Sequence, residues 1–247
     1  MNLYPVVILA GGLATRLRPI TEKIPKALVE VGKQPFIGQQ LRLLYSHGIR
    51  FVIISAWYRG EMIRESVGDG KQFGLTVEYV FDGETPLGTG GAIRQTLSLL
   101  KEPFFVLYGD SYLPCDYADI QKYFDHHTQS GLMTVYRNQG KWDTSNVEMV
   151  DGQVLCYDKQ HRTPRMEFID YGLGLFRPEI FASLPEGRPT DLAEVYQKLI
   201  VNHSMLAYEV KQRFYEIGSF EGLRELDGLL TSEPDKFLKK EKKHELH

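Results

Sequence analysis

The chain has 247 residues, 43% of them hydrophobic and 25% charged, with a formal net charge of −3. That composition suits one large globular domain, and the slight acidity argues against nucleic acid or an anionic membrane surface as a partner. No run approaches the roughly 18 apolar residues of a membrane span, the opening lacks signal-peptide regions, and the two isolated cysteines read as free thiols, so a soluble cytoplasmic protein is expected.

Val6–Ala10 is a continuous apolar run stopped by Gly11-Gly12, the pattern of a strand buried on both faces. Phe36–His47 predicts a helix that Gly48 ends, Phe51–Ala56 a second buried strand and Arg59–Val67 a short helix. Thr76–Val80 reads as a strand, Thr89–Leu100 as a helix, and Phe104–Tyr108 as a strand that runs into Gly109-Asp110. Strands alternating with helices imply parallel crossovers and a three-layer α/β domain, whose ligands sit outside the carboxyl ends of the strands. From about residue 132 the rhythm changes to four strand-like stretches, LMTVYR, NVEMV, VLCYD and FIDYGLGLF, with Asp151-Gly152 as a hairpin turn. These suggest an antiparallel insertion or extension of the sheet. Helices return at Asp191–Asn202 and Phe220–Leu230, around strand-like Met205–Lys211 and Phe214–Ile217. One catalytic unit is expected over residues 1–232, followed by a charged tail, 233–247, that frays.

Three stretches carry candidate chemistry. Gly11-Gly12 follows a strand yet belongs to neither a P-loop nor a G-x-G-x-x-G turn. A turn of Gly11, Gly12, Leu13 and Ala14 can still bring backbone N–H groups to phosphate oxygens, and Arg16 and Lys26 can converge on the same anion. For the glycines alone, a tight turn with no ligand remains an equal reading. In ETPLGTGGAIR, Glu84–Arg94, the backbone at Gly88, Gly90 and Gly91 can approach a flat base and donate N–H groups to its edge. Asp110, just beyond a buried strand, is a hard oxygen ligand suited to Mg2+, although a turn aspartate would look the same. Trp57, Tyr58 and Arg59 can line a nucleotide pocket, and Trp142-Asp143 can lie near an acceptor.

In this order the three stretches resemble the sugar-1-phosphate nucleotidyltransferases (NDP-sugar pyrophosphorylases) of short, single-domain type. The family's opening pattern appears as Gly11, Gly12, Thr15, Arg16, Leu17, Pro19, Thr21, Pro25 and Lys26, its L-G-T-[AG]-G-A loop as Leu87–Ala92, and its metal site as Gly109-Asp110. The resemblance implies a Rossmann-like, three-layer mixed sheet of glycosyltransferase-A-like type with an antiparallel sugar-binding extension. It implies transfer of a nucleoside monophosphate, guanylyl, uridylyl or thymidylyl, from an NTP to a sugar 1-phosphate with Mg2+ as cofactor, in a chain that can be a homo-oligomer. The catalytic set would be Arg16, Lys26 and Lys159, and the metal ligands Asp110 and Glu216. Nucleotide contacts would come from Leu9, Ala10, Gly11, Gly12, Thr15, Glu84, Pro86, Leu87, Gly88 and Thr89. Sugar contacts would come from Asp158, Asp170, Tyr171 and Gly172. Three departures stand out: Ala14 where the family usually has glycine, Glu216 where it has aspartate, and the acid Asp170 where it has an amide. A sensing module that keeps the fold without turnover is the alternative, and a dinucleotide oxidoreductase is opposed by the missing G-x-G-x-x-G.

Overall fold

The computed structural model describes residues 2–142 and 144–239. In chain order the elements are β1 (Val6–Leu9), β2 (Glu30–Val31), β3 (Gln34–Pro35), α1 (Phe36–Ser46), β4 (Phe51–Ala56), α2 (Gly60–Val67), β5 (Thr76–Phe81), α3 (Gly88–Thr96), β6 (Phe104–Tyr108), β7 (Ser111–Tyr112) and α4 (Tyr117–Asp125). There follow β8 (Gly131–Arg137), β9 (Val147–Val150), β10 (Gln153–Tyr157), β11 (Phe168–Phe176), α5 (Glu179–Ala182), α6 (Leu192–Val201), β12 (Met205–Glu209), β13 (Tyr215–Glu216) and α7 (Phe220–Ser232). α3 stops four residues short of the expected Leu100 because the chain tightens into a single 3-10 turn, Leu97–Leu99.

The apolar runs of the first half lie side by side as parallel strands, in the order β5-β4-β1-β6. Their alternate residues feed two cores. Val6, Ile8, Val52 and Ile54 pack with α1, α2 and α4, whereas Val7, Ile53 and Val106 pack with α3, α5 and α6. Apolar side chains on both faces are what a parallel sheet covered by helices demands. β11 continues the sheet antiparallel to β6, β8 is antiparallel to β11, and β12 enters parallel to β8 before β10 and β9 close the far edge. The result is an α/β protein built on a mixed sheet. Asp151 and Gly152 both take positive φ, 48° and 75°, as a two-residue turn between β9 and β10 requires.

A third core cluster joins the chain's two ends. Leu17, Val29 and Val31 of the early loop pack with Ile217, Leu226 and Leu230. Fully burying such side chains is worth about 1.5–3 kcal/mol each, so α7 anchors the loop that follows β1. Residues 233–239, expected to fray, pack back instead: Asp235 pairs with Arg42 at 3.0 Å, Lys239 with Asp116 at 2.7 Å, and the Phe237 ring lies against Tyr112 and Tyr215. The rest of the charged tail, 240–247, and Asp143 lie outside the described residues. No helix among the described residues is long and apolar enough to cross a membrane.

Candidate active site

The carboxyl ends of β1, β4, β5 and β6 open into one cavity of about 450 Å³, within the size range of small-molecule sites. Leu9, Ala10, Gly11 and Gly12 line it from β1 and the turn after it, Pro86, Gly88 and Thr89 from the entry to α3, and Lys26 and Asp110 join them. Gly109 makes this closeness feasible, because a Cβ there would stand 2.5 Å from the Leu9 carbonyl oxygen.

The turn after β1 presents bare backbone. Ala10 N–H is used by Ser55 O at 2.7 Å, but the N–H groups of residues 11–16 meet no acceptor among the described residues. Several fixed contacts shape this turn. Ala14 adopts the left-handed conformation, φ 48° and ψ 45°, and its carbonyl accepts a hydrogen bond from Thr21 Oγ1 at 2.8 Å. The Arg59 guanidinium donates to the carbonyls of Glu22 and Lys23, both at 2.8 Å, so Arg59 clamps this loop while Trp57 lines the cavity. Pro25 then delivers Lys26, whose Nζ lies 2.9 Å from Asp110 Oδ2.

Two short strands assemble the carboxylates. β13 pairs with β7, Glu216 opposite Ser111, and Ile217 N–H donates to Asp110 O at 2.9 Å. Glu216 thereby stands beside Asp110 although a hundred residues of chain separate them. Its carboxylate accepts from Ser219 Oγ, the cap of α7, at 2.9 Å and from the Gly218 N–H just before it. A Cβ on Gly218 would collide with Glu216 Oε2 and lie 3.1 Å from Arg16 Nη2 and 3.5 Å from Asp110 Oδ2, so a cation and two carboxylates converge on that one bare position. No group of three or more His, Cys, Asp or Glu side chains that could hold a metal occurs among the described residues. Two hard carboxylates nonetheless fit Mg2+, which commonly takes one or two from protein and completes its shell with phosphates and water.

Across the sheet, Asp170 on β11 accepts a hydrogen bond from Gly172 N–H at 3.0 Å and one from Tyr157 Oη at 3.5 Å. Burial pushes its carboxyl above the usual range, against the opposing charge of Lys159. Lys159 Nζ stands 5.8 Å from the Tyr108 ring centre and 5.7 Å from that of Tyr157. Tyr108 also lines the cavity, so one ring separates Lys159 from it. A Cβ on Gly172 would lie 3.2 Å from Ser111 Oγ, which places this strand against the β7–β13 ribbon.

Other expected groups are placed differently. Tyr171 is 1% exposed, with its ring edge-on to Phe214, because alternation along β11 sends it into the core while Asp170 and Gly172 face the other way. Asp158 accepts from the N–H groups of Gln160 and His161, at 2.7 and 2.9 Å, and those bonds hold its carboxyl below the usual range. Glu84 is exposed and Leu87 4% exposed, and neither lines the cavity, nor do Thr15 and Arg16. The N–H groups of Gly90 and Gly91 both donate to Thr190 O, at 2.8 and 3.2 Å, so these glycines seat α3 against residues 188–190 rather than offering donors to a ligand. Trp142 lies over the Arg213 guanidinium, which pairs with Glu225 of α7. Ser55, Asp82 and Tyr108 line the cavity without having been singled out in the sequence; the available signal was that each lies at or just beyond the carboxyl end of a strand.

Backbone donors unpaired among the described residues, two cations and two carboxylates thus gather beside the carboxyl ends of the parallel strands of an α/β protein, a combination of the kind that suits an anion. The Nucleotidyl transferase family model matches residues 5–233, and the chain belongs to that family. It is 28% identical over 219 residues to mannose-1-phosphate guanyltransferase beta-A of Xenopus laevis, covering 86% of this chain and 60% of that protein. The chain therefore spans about three fifths of that relative. The D-glycero-alpha-D-manno-heptose 1-phosphate guanylyltransferase of Campylobacter jejuni is 31% identical over 176 residues, 71% of this chain and 76% of its own length. The fold matches a putative glucose-1-phosphate thymidylyltransferase of Bacillus anthracis solved in complex with a sucrose, with a TM-score of 0.81 at 18% identity, over 92% of this chain and 95% of that one.

Proposed function

We propose that the protein is an enzyme that transfers a nucleoside monophosphate from an NTP to a sugar 1-phosphate, giving an NDP-sugar and pyrophosphate. The guanylyltransferases among its relatives favour GTP as the donor. The observation that carries this reading is the convergence of Arg16, Asp110 and Glu216 around Gly218, with Lys26 beside Asp110 at the end of the cavity. The β9–β11 region is read as the sugar-side extension of a Rossmann-like, glycosyltransferase-A-like fold, in a cytoplasmic enzyme.

A phosphate oxygen of the sugar 1-phosphate attacks the α-phosphorus in line, and pyrophosphate leaves. That oxygen is already anionic, so no general base is needed and catalysis reduces to positioning and charge neutralisation. The free N–H groups of residues 11–16 and the Arg16 guanidinium hold the β- and γ-phosphates. Lys26, fixed by Asp110 before substrate arrives, meets charge that grows at the reacting phosphate. Asp110 and Glu216 would hold Mg2+, which supplies further neutralisation of the phosphates when bound. Lys159 and Asp170 orient the incoming sugar phosphate. Pyrophosphate release from GTP, UTP and dTTP against a panel of sugar 1-phosphates, with Mg2+, tests the reading. Release with at least one pair supports it; none with any pair sinks it.

A further inference from the structure

The ribbon that carries Glu216 consists of two residue pairs, Tyr112 opposite Tyr215 and Ser111 opposite Glu216. A two-stranded pairing that short is marginal by itself and keeps its geometry only by packing against something else. Opposed residues of an antiparallel pair share a face and successive residues alternate. Both tyrosines therefore lie on one face of the ribbon, and Ser111 and Glu216 on the other. The second face belongs to the candidate site, where Ser111 Oγ donates to Asp110 Oδ1 at 3.4 Å. How firmly Glu216 is held depends on what packs against the tyrosines.

Phe237 packs there. Its ring centre lies 6.0 Å from that of Tyr112 and 5.5 Å from that of Tyr215, both tilted contacts in the favourable range for aromatic pairs. The segment that brings it, residues 233–239 after α7, is tied down on either side of the ring. Before the ring, Asp235 pairs with Arg42 of α1 at 3.0 Å. After it, Lys239 Nζ pairs with Asp116, the cap of α4, at 2.7 Å, and the Lys239 N–H donates to Ser46 Oγ at 3.3 Å. His47 Nε2 lies 3.3 Å from the carbonyl oxygen of Phe237 itself. Exposed ion pairs add little stability one by one, but together these contacts fix where one ring sits. No residue of the segment lines the cavity.

We propose that Phe237 is a positioning residue for the reaction. By packing on Tyr112 and Tyr215 it sets the ribbon, and through the ribbon it holds Glu216 beside Asp110 so that both carboxylates can bind one divalent cation. Glu216 follows Tyr215 directly, and the Ile217 N–H donates to Asp110 O at 2.9 Å, so a shift on the tyrosine face reaches both carboxylates. The inference rests on the reading of Asp110 and Glu216 as metal ligands of a nucleotidyltransferase but can fail separately from it.

The test is binding of Mn2+, followed by the electron paramagnetic resonance signal of the free ion, with the melting temperature of each chain. The chains are wild type, F237A, F237L, E216A and the double variant F237A/E216A. Groups that orient metal ligands typically cost roughly 10- to 100-fold in metal affinity when removed. Phe237 acts through a second residue, so F237A should bind Mn2+ about tenfold more weakly, the low end of that range. F237L keeps the segment apolar but takes the flat ring off the tyrosines, and should show a smaller loss in the same direction. In the E216A background F237A should add little, because the group it positions is gone. A merely structural role would lower the melting temperature and move Mn2+ affinity equally with or without Glu216. The proposal is overturned if F237A and F237L both bind Mn2+ as wild type does, or if F237A costs as much in E216A as in wild type. Should F237A not fold, F237L is judged by the same standard. Pyrophosphate release by wild type alongside such a result leaves the nucleotidyltransferase reading standing. Wild type that binds no Mn2+, or E216A that binds it unchanged, overturns the proposal together with the assignment of Glu216 to the metal.

Discussion

The parallel and antiparallel parts of the sheet build their sides of the site in opposite ways. At the parallel rim the strands end at the cavity, and several of its lining residues lie one to three residues past a strand: Gly11 and Gly12 after β1, Asp82 after β5, Asp110 after β6. The N–H groups of Gly11 and Gly12 and one oxygen of Asp82 have no partner among the described residues. On the antiparallel side the groups expected to meet an acceptor lie within β11 and in the turn after β10, and most are already engaged, Asp158 by its turn, Asp170 by Gly172 and Tyr171 by the core. A parallel sheet points every strand end the same way and so collects loops at one rim, whereas within a strand only alternate residues face a ligand. On the proposed reading, binding of a polyanion falls to free backbone and cations, and acceptor choice to a few pre-set side chains.

The most damaging change should fall on the nucleotide side. Lys26→Ala is expected to lower kcat by about 10²–10³, the cost typical of losing one preorganised electrostatic contact, while NTP affinity falls less. Turnover within threefold of wild type would remove Lys26 from the chemistry.

The ribbon that joins the two sides comes next. Asp110→Ala and Glu216→Ala should each cost on the order of 10² in turnover, and the double variant should cost much less than the product, because ligands of one ion act as a unit. Glu216→Asp should be mild, and Mn2+ should replace Mg2+. Multiplicative losses, with Mg2+ dependence unchanged in Glu216→Ala, would separate Glu216 from the metal.

A smaller effect is expected on the acceptor side. Asp170→Asn should shift KM for sugar 1-phosphates by about tenfold, as for one charge-assisted hydrogen bond, with KM for NTP little changed. Its stability should move the opposite way. Because burial raises the Asp170 carboxyl, the folded chain binds a proton there more readily than the unfolded chain, and the charged group destabilises the fold above its raised value. Asp170→Asn should therefore melt higher than wild type near neutral pH, and the gap should close as pH falls through that value. A gap that widens on acidification would contradict the burial argument.

The smallest change concerns Ala14. A residue with a side chain at φ 48° is strained, and glycine there should raise stability by about 0.5 kcal/mol, net of its greater freedom when unfolded. That corresponds to a melting-point rise of roughly 1–2 °C for a chain of this size. A lower melting temperature in Ala14→Gly would show that the loop relies on alanine's stiffness.

What the sequence determined by itself was local. The apolar runs became β1, β4 and β6, and Gly11-Gly12 and Asp110 reached the cavity because a strand's end and its next few residues move together, whereas Lys26 came there on a loop held by Arg59 and α7. Tertiary structure decided what depended on partners far along the chain. Glu216 meets Asp110 through paired strands of two residues each, too short to leave a periodicity. The N–H groups of Gly90 and Gly91 went to Thr190, which no local pattern announces, and Phe237 tied residues 233–239 to Tyr112 and Tyr215. Asp82 and Ser55 look ordinary in the sequence, and only the packed chain encloses an atom of each with no partner among the described residues. Hydrophobic period and turn chemistry act over a few residues, but the partner of a buried polar atom is fixed by the packing of the whole chain.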